Sequence, residues 1–350
     1  MKRSFVLIAA GIILFGCAEK KVESTHLPRN NDSGINTAEF DKIFEDASLA
    51  GSTNELHGVI VIKDGAVIYE KYDQGHQANL KHALWSASKT FTATGIGFAV
   101  QDGLLSADDP VIKFFTAEEL PEEPSDTLKA MTVKDLLIMS SGFAHDYLGN
   151  TRTNNCGRAS VTMLHDNFIF EPGTAFKYNS MNTYMLSAIV TKVTGKKLVD
   201  YLAEKLFTPL GIKDYYWEES VEGYNMGGWG LFISTEDLAK MGLFFLNRGK
   251  WDGKQLLDDA WFDDAMSAQI MPPMPVQIEG RPARPVDEDW VAGYGYQMWK
   301  NDNGSYRLDG AWGQFSIIAP EKNAVIAVNS LSGNAQSVLR YVMKDIYDKL

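Results

Sequence analysis

In the stretch "ALWSASKTFTATGIGFAV", Ala83 to Val100, Ser86 and Lys89 stand three residues apart. On a helix that spacing puts both side chains on one face, about a turn from each other. An amine so placed reaches a serine hydroxyl, which is one way to make the oxygen nucleophilic. Serine and lysine are both common, so the spacing by itself is equally that of a solvated surface lysine. His145 and Asp146 suggest a Ser-His-Asp triad, but no G-x-S-x-G elbow accompanies them. The six histidines show no H-E-x-x-H spacing, and neither C-x-x-C nor a phosphate-binding glycine loop is present. No metal and no cofactor is therefore expected.

The elements that must position Ser86 and Lys89 are legible from periodicity and turn signals. "NTAEFDKIFEDA" predicts an amphipathic helix, capped by Asn36 with Glu39 at the capping-box position and Phe40, Ile43, Phe44 and Ala47 in one stripe. "HGVIVIKDGAVIYEKY" reads as two strands joined at Asp64-Gly65, a hairpin signal. The Ser86 stretch follows as a helix beginning near that residue. From about 105 to 271 the pattern is mostly helical, with Thr132 and Asp135 bracketing one helix start and several runs ending at glycine. Strand-like runs return in "GYGYQMW", "SYRL", "GQFSIIAP" and "NAVIAVNS". A last helix puts Leu339, Val342, Met343 and Ile346 on one face. Strands at both ends and helices between them predict an α/β (α+β) domain over 37–350. Its antiparallel sheet is flanked by terminal helices, and a helical region is inserted over 105–271. A cleft between the two regions is the default binding site.

Lys2 and Arg3 precede an apolar run from Phe5 to Phe15, too short for a membrane span and built like a secretory signal. The run leads into "LFGC", Leu14 to Cys17, which resembles the lipobox of bacterial lipoproteins, with Phe15 an uncommon residue there. The resemblance implies a signal peptide over 1–17 and lipid on Cys17. Residues 18–36 then read as a flexible polar tether. The implied location is the cell envelope, favouring an outer membrane facing the periplasm where the cell has one. Cys156 is left without a disulfide partner. Loss of Lys2 and Arg3 moves the net charge from −12 to −14, which disfavours nucleic acid and anionic membrane surfaces as partners.

The order of motifs resembles the serine β-lactamase and penicillin-binding superfamily, especially its class C-like branch, which includes esterases and 6-aminohexanoate-oligomer hydrolases. "WSASKTFTATGIGFAVQDGLLSADDPV" is similar to its nucleophile helix. "TVKDLLIMSSGF" is similar to D-L-L-x-H-T-S-G-L, with Met139 in place of His. "EPGTAFKYNSMNTYMLSAIV" resembles the P-G-x-x-x-x-Y-S-N block, and "LFTPLGI" and "GLFISTEDLAKMG" match framework segments. The resemblance implies a β-lactamase/transpeptidase-like fold, with Ser86 as nucleophile and Lys89 as its proton partner. It implies Tyr178 as a base, provided that Lys89 lowers the phenol's pKa. Ser180 stands where the family has Asn, with a shorter reach for which Asn182 partly compensates.

For the third family motif, "LDGAWGQFSIIAP" admits two registers. Either Gly310 takes the motif glycine, so that the Ala311 N–H joins the Ser86 N–H as an oxyanion hole and Trp312 points into the pocket, or the donor moves to Phe315. The first is preferred, with a core tryptophan as the alternative for Trp312. Tyr147 is a candidate pocket residue. The implied activity is serine-based hydrolysis of a small-molecule ester, amide or peptide substrate. Its rivals are a β-lactamase or D-Ala-D-Ala peptidase of the same fold, disfavoured by the missing K-T-G or H-x-G cation, and a non-catalytic peptide-binding lipoprotein.

Overall fold

The computed structural model describes residues 27–49, 55–147, 157–273 and 290–350. Cys17 with the signal segment, and Cys156, lie outside the described residues. Strand β1 (Glu55–Lys63) turns through Asp64-Gly65 into β2 (Ala66–Tyr72). Both turn residues have positive φ, 52° and 81°, the two-residue hairpin geometry that Asp-Gly favours. Strand β3 (His82–Ala83) immediately precedes the nucleophile turn, and β4 (Tyr216–Trp217) and β5 (Leu231–Ile233) join it in a small sheet ordered β3-β5-β4. Strands β6 (Lys250–Trp251) and β7 (Lys254–Gln255) form a separate hairpin. Strands β8 (Trp299–Lys300), β9 (Tyr306–Gly310), β10 (Gln314–Ala319) and β11 (Ala324–Leu331) complete the main sheet.

That sheet has the order β2-β1-β11-β10-β9-β8, with every neighbouring pair antiparallel. The first and last strands of the chain therefore meet at β1–β11, as the distribution of strand signals predicts. Its central strands are covered on both faces, which is why "GVIVI" is apolar without alternation. Val59, Val61, Ile317, Ile326 and Val328 pack on Phe40, Ile43, Val338, Leu339, Val342 and Ile346 of the terminal helices. Ile60, Ile62, Ile318, Val325 and Ala327 face the larger core. There the covering helix is Thr235–Leu246, capped by the Ser234 side chain. It comes from within the stretch read as an insertion, so that stretch also supplies a layer of the sheet domain. Gly242 permits this: a Cβ there would overlap Ser316 Oγ and Val325.

Three local details depart from the sequence reading. Asn36 binds Glu39 Oε1 at 2.9 Å rather than capping the backbone, and the segment opens as a 3₁₀ turn, Thr37–Asp41, before the helix Lys42–Leu49. Residues 28–30 pair with Val67, and the Leu27 N–H donates to Glu236 at 3.1 Å. The expected tether over 18–36 is thus fastened to the sheet edge from Leu27 onward. Of "GYGYQMW" only Trp299 is in a strand; the rest turns back on itself, the Gly295 N–H donating to Met298 O at 2.9 Å and the Lys300 N–H to Gly293 O at 3.0 Å.

Candidate active site

Ser86 lies in a 3₁₀ turn, Trp85–Ala87, that runs into the helix Ser88–Gln101. Trp85 enters that turn at φ 49°, a left-handed conformation that costs a bulky residue energy and marks functional turns. The helix is buried on nearly all sides from Ser88 to Ala99, so it has no polar face to show a periodicity. Its hydroxyls are satisfied inward: Thr90 Oγ1 donates to Gln297 O at 2.7 Å and Thr92 Oγ1 to Gly227 O at 2.9 Å. Ser86 is therefore held on an immobilised scaffold at the helix start.

Lys89 is 1% exposed, which rules out the solvated-surface alternative. Its Nζ lies 3.2 Å from Ser86 Oγ, 3.1 Å from Ser180 Oγ and 2.7 Å from Gly228 O. Burial lowers its pKa to about 7, and the Asp146 carboxylate opposes that fall. A neutral amine in this place donates to Gly228 O and Ser180 Oγ and keeps its lone pair for the Ser86 hydroxyl. Gly228 carried no motif signal in the sequence. A Cβ there would lie 2.7 Å from Ser180 O and 3.4 Å from Lys89 Nζ, so only glycine lets this carbonyl reach the amine.

Tyr178 is hydrogen-bonded to Ser86, and its ring centroid is 5.0 Å from Lys89 Nζ. Its phenol is raised above its ordinary pKa, chiefly by burial and further by Asp309 and Asp146, which outweigh the Ser86 hydrogen bond. The expectation that Lys89 would depress this phenol to make it a base is thereby corrected. The buried lysine is the group that moves toward neutrality, and the phenol keeps its proton.

Ser180 opens the helix Ser180–Thr194, where its N–H donates to Asp146 Oδ2 at 3.1 Å. It thus takes the asparagine's place beside the lysine. Asn182 does not compensate for the shorter side chain: it is fully buried and accepts from Ser141 Oγ at 2.7 Å. His145 pairs with Asp166 at 2.7 Å, and Tyr147 donates to the same carboxylate at 3.1 Å. The adjacent His145 and Asp146 thus have different partners, and Tyr147 is held by Asp166.

The β9–β10 hairpin carries the residues of both registers. Phe315 sits inside the sheet opposite both Asp309 and Val328 and is buried. Gly310 backs onto the nucleophile turn, where a Cβ would overlap Leu84 O and lie 3.2 Å from the Ala87 nitrogen. Ala311, the next residue, is exposed. Trp312 stands 43% exposed at the hairpin tip with φ 66°, so it is no core tryptophan. Arg307 is fully buried, donates to Asp309 at 2.8 Å and is hydrogen-bonded to Asn301.

An aromatic group unnoticed in the sequence completes the site. Tyr178 stacks on Trp299 at 5.8 Å and 19°, and Trp290 lies 5.9 Å beyond. Tyr294 and Phe176 pack edge-on against Trp299 at 4.8 and 5.8 Å.

The family model described as "Beta-lactamase" matches residues 49–341. The chain belongs to the Beta-lactamase family. It is 24% identical over 288 residues to the 6-aminohexanoate-dimer hydrolase of Paenarthrobacter ureafaciens, spanning 76% of this chain and 70% of that protein. The solved octameric penicillin-binding protein homologue of Pyrococcus abyssi superposes with a TM-score of 0.70 at 21% identity, covering 90% of this chain and 78% of its own. A D-stereospecific amidohydrolase from Streptomyces sp. superposes at 0.64 with 17% identity, covering 87% and 98%. The β-lactamase/transpeptidase-like fold expected from the motif order is thus the fold of this chain, and the serine hydrolases of the Beta-lactamase family are its relatives.

Proposed function

We propose that the protein is an exported, lipid-anchored serine hydrolase that cleaves small uncharged esters or linear amides through an acyl-enzyme on Ser86. The observation that carries this reading is the buried Lys89 amine 3.2 Å from Ser86 Oγ with its pKa near 7. In the proposed cycle the neutral amine takes the Ser86 proton as Oγ attacks the carbonyl carbon. The Ser86 and Ala311 N–H groups receive the resulting oxyanion. Tyr178 gives its proton to the departing alkoxide or amine as the acyl bond breaks, and recovers one from the Lys89 ammonium. Water then attacks the acyl carbon, its proton returns through Lys89, and Ser86 is released with the carboxylic acid.

Substrate class follows from what surrounds Tyr178. Asp309 stands at the third-motif strand, and Arg307, the nearby cation, is buried and already paired with it. A substrate carboxylate therefore finds that cation already engaged, whereas Trp299 and Trp290 offer apolar surface worth about 25 cal/mol per Å² buried. A 6-aminohexanoate-dimer hydrolase among the relatives supports the linear-amide side of this reading. Short-chain p-nitrophenyl esters are expected to exceed nitrocefin by at least about tenfold in kcat/KM. Nitrocefin hydrolysis equal to or faster than ester cleavage would turn the assignment to a β-lactamase. Lipid on Cys17 is tested separately by detergent partitioning and intact mass of the native protein. A mature form that begins beyond Cys17 and stays in the aqueous phase would remove the anchor without touching the chemistry.

A further inference from the structure

Three of the six histidines, spaced too irregularly for a metal motif, converge outside the active site. His57 is the extra residue of a β-bulge, since β1 pairs Leu56 with Ser330 and Gly58 with Asn329; bulges re-aim side chains in this way. His76 lies on the turn between β2 and β3, where its N–H donates to Asp73 O at 2.9 Å. His82 is the first residue of β3, four residues before Ser86. The rings of His57 and His76 stack at 3.6 Å, and His82 lies 5.3 and 4.9 Å from them.

One ring nitrogen from each histidine lies within 4.8 Å of the other two. His57 Nδ1, His76 Nδ1 and His82 Nε2 are buried without a hydrogen-bond partner, and the His57 and His82 residues are more than nine-tenths buried. Such orphaned nitrogens are costly unless something binds them. The other nitrogen of His57, Nε2, donates to Glu55 Oε2 at 3.2 Å. Because a carboxylate only accepts, the proton sits on Nε2 and the Nδ1 lone pair is free to ligate, the tautomer that a carboxylate commonly fixes on metal-binding histidines.

We infer that His57, His76 and His82 form a binding site for a zinc-class divalent ion, separate from the reacting atoms, with Glu55 orienting His57. Three imidazole ligands suit zinc, copper or nickel rather than calcium or magnesium. Tetrahedral zinc at about 2.0–2.1 Å places its ligand nitrogens about 3.3 Å apart. The cluster must tighten accordingly, and the His76 ring must tilt off the His57 stack, because a shared ion cannot lie in two parallel ring planes. His76 is on a turn and free of strand pairing, so it is the ring that moves. A bound ion ties the β1 bulge, the 73–81 turn and β3 together directly ahead of the nucleophile turn.

The test is titration of the chelator-stripped, untagged chain with Zn²⁺ by calorimetry and with Co²⁺ by visible absorption. One equivalent is expected to bind, with tetrahedral Co²⁺ bands and a thermal midpoint raised by a few degrees through preferential binding to the folded chain. His76→Gln, a turn substitution that leaves the sheet intact, weakens binding at least about tenfold, and Glu55→Gln weakens it about 10–100-fold. His165→Gln, outside the cluster, leaves binding unchanged. No uptake by the folded wild type overturns the site, as does uptake that His76→Gln and His82→Gln leave unaltered. Neither result bears on Ser86, since none of these readouts is activity.

Discussion

Ser86→Ala is expected to reduce kcat/KM for a short-chain p-nitrophenyl ester by at least about 10⁴-fold, leaving only what binding and the oxyanion donors supply. The loss is confined to chemistry because the remaining site does not depend on the hydroxyl. Lys89 keeps Gly228 O at 2.7 Å and Ser180 Oγ at 3.1 Å, and Gly310 still packs on the turn backbone. The thermal midpoint should therefore stay near wild type while turnover disappears. A Ser86→Ala protein that hydrolyses the ester at the wild-type rate would end the hydrolase reading of this site.

Lys89→Met and Tyr178→Phe should each cost about 10²–10⁴-fold through lost proton transfer, and the double variant little more, since the groups act on the same proton. The pH profile separates their roles. The working form of Lys89 is the neutral amine, and its pKa is held down to about 7, so kcat/KM should climb through that pH and level off above it. The Asp146 carboxylate favours the ammonium, so Asp146→Asn should move the rising limb to lower pH. Stability carries the complementary sign. A folded pKa of about 7 against an ordinary value of 10.5 means that the unfolded chain binds more protons between those values. The lysine's penalty on folding thus shrinks as pH rises through that window. Below it the penalty is complete, and Lys89→Met should raise the thermal midpoint there while abolishing turnover. A profile flat from about pH 5.5 to 8.5, or Lys89→Met turning over normally, contradicts Lys89 as the base.

What was legible in the sequence was whatever rests on periodicity, turn chemistry or motif order. The Asp64-Gly65 hairpin, the Thr132–Asp135 capping box and the sheet assembled from both chain ends all followed from local signals that tertiary packing did not override. The pairing of Ser86 with Lys89 and Tyr178 came from motif order. What stayed hidden depends on side chains meeting across long separations. Gly228 meets Lys89 from 139 residues away, and Trp299 reaches Tyr178 from a segment with no motif of its own. The direction of the Tyr178 shift is not legible in the sequence, because burial and the carboxylates of Asp309 and Asp146, which set it, are properties of the fold. Asn182 looked available because helix numbering alone does not show which face Ser141 occupies. The histidines escaped notice for the same reason: a bulge, a turn and a two-residue strand bring them together.

The most direct test of the central claim is to trap the intermediate and locate it. Wild-type protein is mixed with a fluorophosphonate or a slowly hydrolysed p-nitrophenyl ester, quenched in acid, digested and sequenced by mass. One adduct is predicted, on Ser86 within the tryptic peptide His82–Lys89, and none in the Ser86→Ala protein. An adduct on a different residue, or steady ester hydrolysis with Ser86 never acylated, would contradict the assignment.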